Sequence, residues 1–327
     1  MGIATPEPVA GNNRGAPHHD GITVIDLEFQ GVPGVIASYL VDCGGELALI
    51  ETGPTTTLPT LERTVSATGA AMADISTVIV THIHLDHSGA AGVIVRDQPH
   101  IRVLVHPVGA PHLVAPERLV RSAARIYGDE MERLWGEIAG VPEGQVETVA
   151  DGQEVTIGNR RFRFAHTPGH ASHHMAILDE GSGTLFTGDV GGVRAPGTSY
   201  VAAPIPPPEF DPEAWRTSLA TLRSFQPSRL ALTHFGLHDD VEAHLDQIEP
   251  RLDQLVALGE VAGDDGADLE DLTRRLDAFQ RGNLGDQAID LVLRQLNLAN
   301  PDLLGAMGLE RYLRKRGEAL QQGPRGG

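Results

Sequence analysis

Residues 82–87 read His-Ile-His-Leu-Asp-His, three imidazoles and a carboxylate in six consecutive positions. They follow directly on the β-branched run 75–80, so the pattern places them where a strand gives way to a loop. A continued strand would send alternate side chains to opposite faces. A loop lets His82 and His84 point to one side while the turn delivers Asp86 and His87 to a second point close by. Neutral imidazole and carboxylate are donors that suit zinc and other borderline first-row divalent ions. Three further candidates stand far along the chain: His170 in His-Thr-Pro-Gly-His, Asp189 closing Thr-Leu-Phe-Thr-Gly-Asp, and His234 closing Leu-Ala-Leu-Thr-His. Each sits at the C-terminal end of an expected strand, where α/β proteins place their sites. A chance cluster of surface histidines would not recruit three such distal partners.

In that order these residues resemble the signature of the metallo-beta-lactamase superfamily, His-x-His-x-Asp-His followed by a distal His, Asp and His. The resemblance covers about residues 23–238. It implies an α/β fold, an αββα sandwich of two mixed sheets packed face to face with helices outside and a metal site at one edge. It further implies two divalent metal ions, zinc in the first place, with iron or manganese as alternatives. His82, His84 and His170 would hold one ion, Asp86, His87 and His234 the second, and Asp189 would bridge them. Asp86 would also be the catalytic proton shuttle beside a metal-bound hydroxide. Glu51, in Glu-Thr-Gly where the family usually carries Asp-Thr-Gly, is expected to orient a ligand through a longer arm, and His174 to support the site from close by. Lactonases of this fold carry a Tyr three residues after the bridging Asp. Here that position is Gly192, and Tyr200 reaches the site only if its loop folds back.

The elements that must position these residues can be traced from the pattern. Strands are expected at 23–28, 35–43, 47–53, 75–82 and 102–106, with helices at 58–68 and 89–95 between them. The longest helical periodicity of the first half runs over 116–139, with an apolar face suited to the core, or to a lid or homodimer surface. Strands return at 155–166, 173–178, 184–190 and 229–234, and Asp211-Pro212 reads as the cap and first turn of a helix to about 225. The prolines at 204 and 206–208 either stiffen a crossing loop or wall a substrate pocket. After 241 helices follow at 241–259, 267–280, 286–297 and 302–318 with no strand between them. The expected organisation is therefore a tail over 1–21, a catalytic region over 22–240, a C-terminal helical appendage over 241–318 and a second tail over 319–327.

Composition narrows the function. With 25 basic against 44 acidic side chains the formal charge is −19, which disfavours tracking a phosphate backbone or docking on an anionic membrane. The single cysteine, Cys43, makes no internal disulfide and fits a cytoplasmic protein. No Gly-x-Ser-x-Gly nucleophile motif occurs. The leading expectation is a dinuclear metal-dependent hydrolase of an ester, thioester or lactone of a small molecule. The alternatives are a mononuclear iron persulfide dioxygenase, a phosphodiesterase or nuclease, and a metal-binding protein without turnover.

Overall fold

The apolar runs of the first half are buried on both faces, as strands covered by another sheet on one side and helices on the other must be. The computed structural model describes residues 18–322. The first sheet contains β1 (His18–His19), β2 (Ile22–Asp26), β3 (Ala37–Asp42), β4 (Leu47–Ile50), β5 (Ile75–Ile79), β6 (Arg102–Val105) and β7 (Val146–Thr148), hydrogen-bonded in that order. Pairing is antiparallel from β1 to β4 and parallel from β4 to β7. Parallel neighbours require crossovers, and these are α1 (Leu58–Ala67), α2 (Leu85–Ser88), α3 (Ala91–Asp97), α4 (Ala110–Val114), α5 (Glu117–Tyr127) and α6 (Met131–Trp135).

The second sheet contains β8 (Glu154–Ile157), β9 (Arg160–His166), β10 (Met175–Asp179), β11 (Thr184–Phe186), β12 (Arg229–Leu232) and β13 (Gly236–His238), antiparallel throughout except for β11 with β12. The crossover between those two includes α7 (Pro212–Ser224). Asp211 caps it, its carboxylate accepting from the N–H groups of Glu213 and Ala214 at 3.1 and 3.0 Å. The two sheets face each other across a layer that includes Tyr39, Ile50, Ile79, Phe162, Phe164 and Phe186. The Tyr39 hydroxyl crosses that layer to donate to the Leu232 carbonyl. The outer face of the first sheet packs on α1, α3, α5 and α6, that of the second on α7 and the C-terminal helices. The expected αββα sandwich with C-terminal helices is the fold of this chain.

Those helices are α8 (Val241–Leu245), α9 (Ile248–Asp264), α10 (Leu269–Leu284), α11 (Asp290–Ala299) and α12 (Asp302–Gln322). They are tightly joined to the sandwich. A Cβ on Gly308 would lie 1.8 Å from the Ile205 carbonyl oxygen, so glycine is what lets α12 seat directly on the proline loop. Gly308→Ala is expected to force α12 off that loop. It should cost about 1–3 kcal/mol, the range for overpacking, seen as a fall of several degrees in calorimetric Tm.

Three differences from the sequence reading have local causes. The helix expected over 116–139 is broken into α5 and α6, because Gly128 takes φ 52° and ψ −126°, outside helical geometry, and the second piece stops at Gly136. Residues 18–21 of the expected N-terminal tail are built into the first sheet through β1, while 1–17 lie outside the described residues. Residues 319–322 of the expected C-terminal tail belong to α12, which runs to Gln322, while 323–327 lie outside the described residues.

Candidate metal centre

All seven candidate ligands come from chain that has just left a strand. β5 runs into 81–87 and the start of α2, β9 into the 167–174 loop, β11 into the turn at 188–191, and β12 into His234. Stacking the two sheets brings these four ends to one edge. His82, His87, His170, Asp189 and His234 are buried, whereas Asp86 keeps a fifth of its side chain exposed.

The donors fall into two sets. In the first, Nδ1 of His84 lies 2.9 Å from Nε2 of His82 and 2.9 Å from Nε2 of His170. In the second, Nε2 of His234 lies 3.4 Å from Oδ2 of Asp86, and Nε2 of His87 lies 3.7 Å from the same oxygen. Asp189 stands between them: Oδ2 is 3.3 Å from His170 Nε2, while Oδ1 is 3.2 Å from His87 Nε2 and 3.5 Å from His234 Nε2.

The outer nitrogens decide which way each ring presents its lone pair. Nδ1 of His170 donates to the Pro204 carbonyl at 2.9 Å and Nδ1 of His234 to the Val35 carbonyl at 2.7 Å. Nδ1 of His82 lies 3.0 Å from the Thr81 hydroxyl, which itself donates to Glu51 Oε1 at 2.5 Å and so accepts from the ring. In each neutral ring Nε2 is then left bare and aimed inward. His84 Nδ1 carries at most one proton, so it cannot hydrogen-bond to both bare nitrogens facing it. Burial pushes the pKa of His82, His84 and His170 down, His84 to about 3, which keeps the first set in its neutral, electron-donating form.

The second set carries the negative charge. Burial opposes ionisation of Asp86, but His87 and His234 outweigh it and hold that carboxyl down at about 2. Burial likewise works against charge on His87, yet the carboxylates of Asp189, Asp86 and Glu51 raise its pKa well above normal. His87 Nε2, His234 Nε2 and Asp189 Oδ1 are buried and make no hydrogen bond among the described residues. Buried polar atoms without partners are costly, and three of them converging with ionised carboxylates form a place built for a cation. The donor set therefore fits the divalent metal that the motif implies.

Glu51 and His174 lie where support is needed. Glu51 leaves β4 with φ 62°, an uncommon value for a side chain of this size, and is buried. Its Oε1 accepts from His87 Nδ1 at 3.1 Å and from the hydroxyls of Thr81 and Thr233 at 2.5 and 3.2 Å, so one carboxylate orients the ligand-bearing segments that follow two strands, β5 and β12. His174 Nδ1 donates to the Thr167 hydroxyl at 2.8 Å, and its Nε2 accepts the backbone N–H of Asp189 at 3.1 Å, which fixes the turn that presents Asp189. Glu51→Ala is expected to weaken metal affinity by about 10–100-fold while the fold persists, with excess metal restoring activity in a titration.

Tyr200 does not reach the centre. It is buried, with the Arg251 guanidinium 4.6 Å above its ring, and packs in a cluster with Leu284, Val292 and Leu296 of the C-terminal helices. The sole cysteine, Cys43, is enclosed between the sheets, and burial pushes its thiol up to about 12, which leaves it unreactive. Sequence reading missed Thr81, Thr167, Val35 and Pro204. Val35 and Pro204 act through main-chain carbonyl groups that no motif marks. Thr81 adjoins the first motif and Thr167 stands inside His-Thr-Pro-Gly-His, and those places were the available signal.

A cavity of about 350 Å³ opens over the centre, with His84, Asp86, His170 and Asp189 on its floor. Prolines 204 and 206–208 line it, as does the apolar face of α5 and α6. That face lines the cavity and packs on the first core at once, through Leu119, Tyr127, Leu134 and Trp135.

The family model described as "Metallo-beta-lactamase superfamily" matches residues 31–234, a span that contains all seven candidate ligands. A metallo-beta-lactamase fold-containing protein of Sulfurisphaera tokodaii is 28% identical over 237 residues, covering 70% of this chain and 85% of that one. An atrochrysone carboxyl ACP thioesterase of Aspergillus fumigatus is 28% identical over 213 residues, 64% of this chain and only 39% of that protein. Among solved structures, a metallo-beta-lactamase family protein of Thermus thermophilus superposes with a TM-score of 0.62 at 22% identity, covering 91% of this chain and 94% of that one, a likeness of fold. The motif order, the two-sheet architecture that gathers it and the family match agree: the chain belongs to the metallo-beta-lactamase superfamily.

Proposed function

We propose that the protein is a metal-dependent hydrolase that cleaves an ester, thioester or lactone bond of a small molecule, with two divalent ions, zinc in the first place, held by the seven residues above. The observation that carries this reading is the position of Asp189, whose two oxygens face the two donor sets separately while the site opens into a cavity of about 350 Å³. When bound, such ions supply Lewis acidity for the scissile carbonyl and water of lowered pKa.

The chain's own residues do the rest. Asp86, ionised and partly exposed on the cavity floor, accepts the proton released by the attacking water. His174 and Glu51 keep Asp189 and His87 in place, so no reorganisation is needed during the reaction. The cavity walls position the substrate and limit its access to bulk water.

The relative named as a thioesterase acts on an acyl carrier thioester, which agrees in bond type with this reading. A phosphodiester substrate is disfavoured, because no Lys or Arg among the described residues lines the cavity to meet phosphate. No helix among the described residues is long and apolar enough to cross a membrane.

The test is a panel of aryl esters, thioesters, lactones and phosphodiesters run with zinc, manganese and iron, with metal content measured on the same samples. Hydrolysis of the acyl substrates only, dependent on about two ions per chain, is the expected result. One tightly held iron with oxygen consumption on a persulfide, and no acyl hydrolysis, would replace it with the dioxygenase reading.

A further inference from the structure

We infer that the substrate is a neutral ester or thioester with an apolar acyl group of drug-like size, and that the junction between α11 and α12 sets how large that group can be. This rests on the hydrolase reading above. The cavity, at about 350 Å³, lies in the range that takes small-molecule ligands, roughly 300–1,000 Å³. Its two facing walls come from opposite ends of the chain: Leu119, Ile126 and Trp135 from α5 and α6, and Leu298, Pro301 and Leu304 from the α11–α12 junction. The polar side chains between them, Ser122, Tyr127, Asn297 and Asn300, are uncharged. Among the described residues, the only carboxylates that line the cavity are Asp86 and Asp189 on the floor, where the chemistry is. An acyl group entering from the centre therefore meets hydrocarbon and aromatic surface, and a charged one would lose its hydration without compensation.

The C-terminal wall is fixed in place and not loosely draped. Gln295 Nε2 donates to the Pro33 carbonyl at 2.8 Å, tying α11 to the loop before β3. Gln280 Nε2 donates to Asp302 Oδ1 at 2.5 Å, holding the start of α12 against α10. Arg311 Nε donates to the Pro208 carbonyl at 3.2 Å, and the close seat of Gly308 on Ile205 adds a second attachment to the proline loop. A wall anchored at both ends rejects acyl groups that exceed the space, which a mobile flap would not do.

The experiment uses the full chain loaded with zinc and compares p-nitrophenyl acetate with p-nitrophenyl octanoate. Each methylene buried in such a cavity is worth about fourfold in kcat/KM, so octanoate is expected to exceed acetate by at least about 100-fold. Leu304→Trp, which fills the space from the α12 side, should remove most of that gain, bringing the octanoate-to-acetate ratio of kcat/KM down towards one. Ser122→Trp, at an exposed position on the facing wall, should do the same and serves if the first variant does not fold.

Binding is read separately on the metal-free protein. Octanamide, a neutral probe, should perturb tryptophan emission, since Trp135 lines the cavity while the other tryptophan, Trp215, is fully buried. Both substitutions should raise the octanamide concentration that half-saturates the emission change by about tenfold or more, whatever the amplitude contributed by the added indole. Equal rates on the two esters, or a chain-length gain that survives both substitutions, would overturn the inference while leaving the hydrolase reading intact. Cleavage of neither ester, with octanamide still bound through Leu304 and Ser122, would support the cavity assignment and overturn the hydrolase reading.

Discussion

Asp189→Ala is expected to strip at least one of two divalent ions from the purified protein and to lower kcat by about 10³-fold or more. The size follows from what is removed: the metal contribution to carbonyl polarisation is worth several kcal/mol, and each 1.36 kcal/mol is a decade in rate. The location follows from geometry. Asp189 Oδ2 faces His170 and Oδ1 faces His87 and His234, so one truncation takes an oxygen from both donor sets. The alanine also leaves His87 and His234 without the carboxylate that draws positive charge to them, and metal affinity at the second set should suffer most. Metal analysis by mass spectrometry, with circular dichroism to show an intact fold, measures the effect. Retention of both ions at full rate would mean that Asp189 does not bridge.

Asp86→Asn separates proton transfer from metal binding. The amide keeps the shape of the side chain and one oxygen, but it cannot accept the proton that the ionised carboxylate takes. A loss of about 10²-fold or more in kcat is expected, in the range of general-base deletions. Part of that loss can arise from a weaker second donor set, because Asp86 Oδ2 lies 3.4 Å from His234 Nε2 and 3.7 Å from His87 Nε2. Titrating zinc into the variant divides the two contributions: the metal share is recovered at saturation and the proton-transfer share is not. Full recovery at saturating zinc would leave Asp86 as a ligand alone.

The clustered histidines, their distal partners and the strand-by-strand frame were all legible in the sequence, because each depends on short-range pattern. Six consecutive residues after a β-branched run carry four donors, and His170, Asp189 and His234 each close a recognisable strand. Strand ends on one edge of a layered α/β fold necessarily meet, so local spacing sufficed to group them. The chain reversals at Asp211-Pro212 and the all-helical stretch after 241 are local signals of the same kind.

Tertiary structure alone decided what surrounds them. Which oxygen of Asp189 faces which donor set depends on how the turn at 188–191 sits over His174, a contact between side chain and backbone fifteen residues apart. The carbonyls of Val35 and Pro204 that orient His234 and His170 have no side-chain signature at all. Periodicity over 116–139 announced an apolar face, but not that Gly128 would break the helix or that most of that face would look into a cavity. Above all, nothing in residues 297–304 marks them as a wall for a site whose first ligand is His82. An apolar pattern records that a surface is buried and carries no label for its partner. Partners more than two hundred residues apart are chosen by packing of the whole chain, and that choice made the C-terminal helices part of the site.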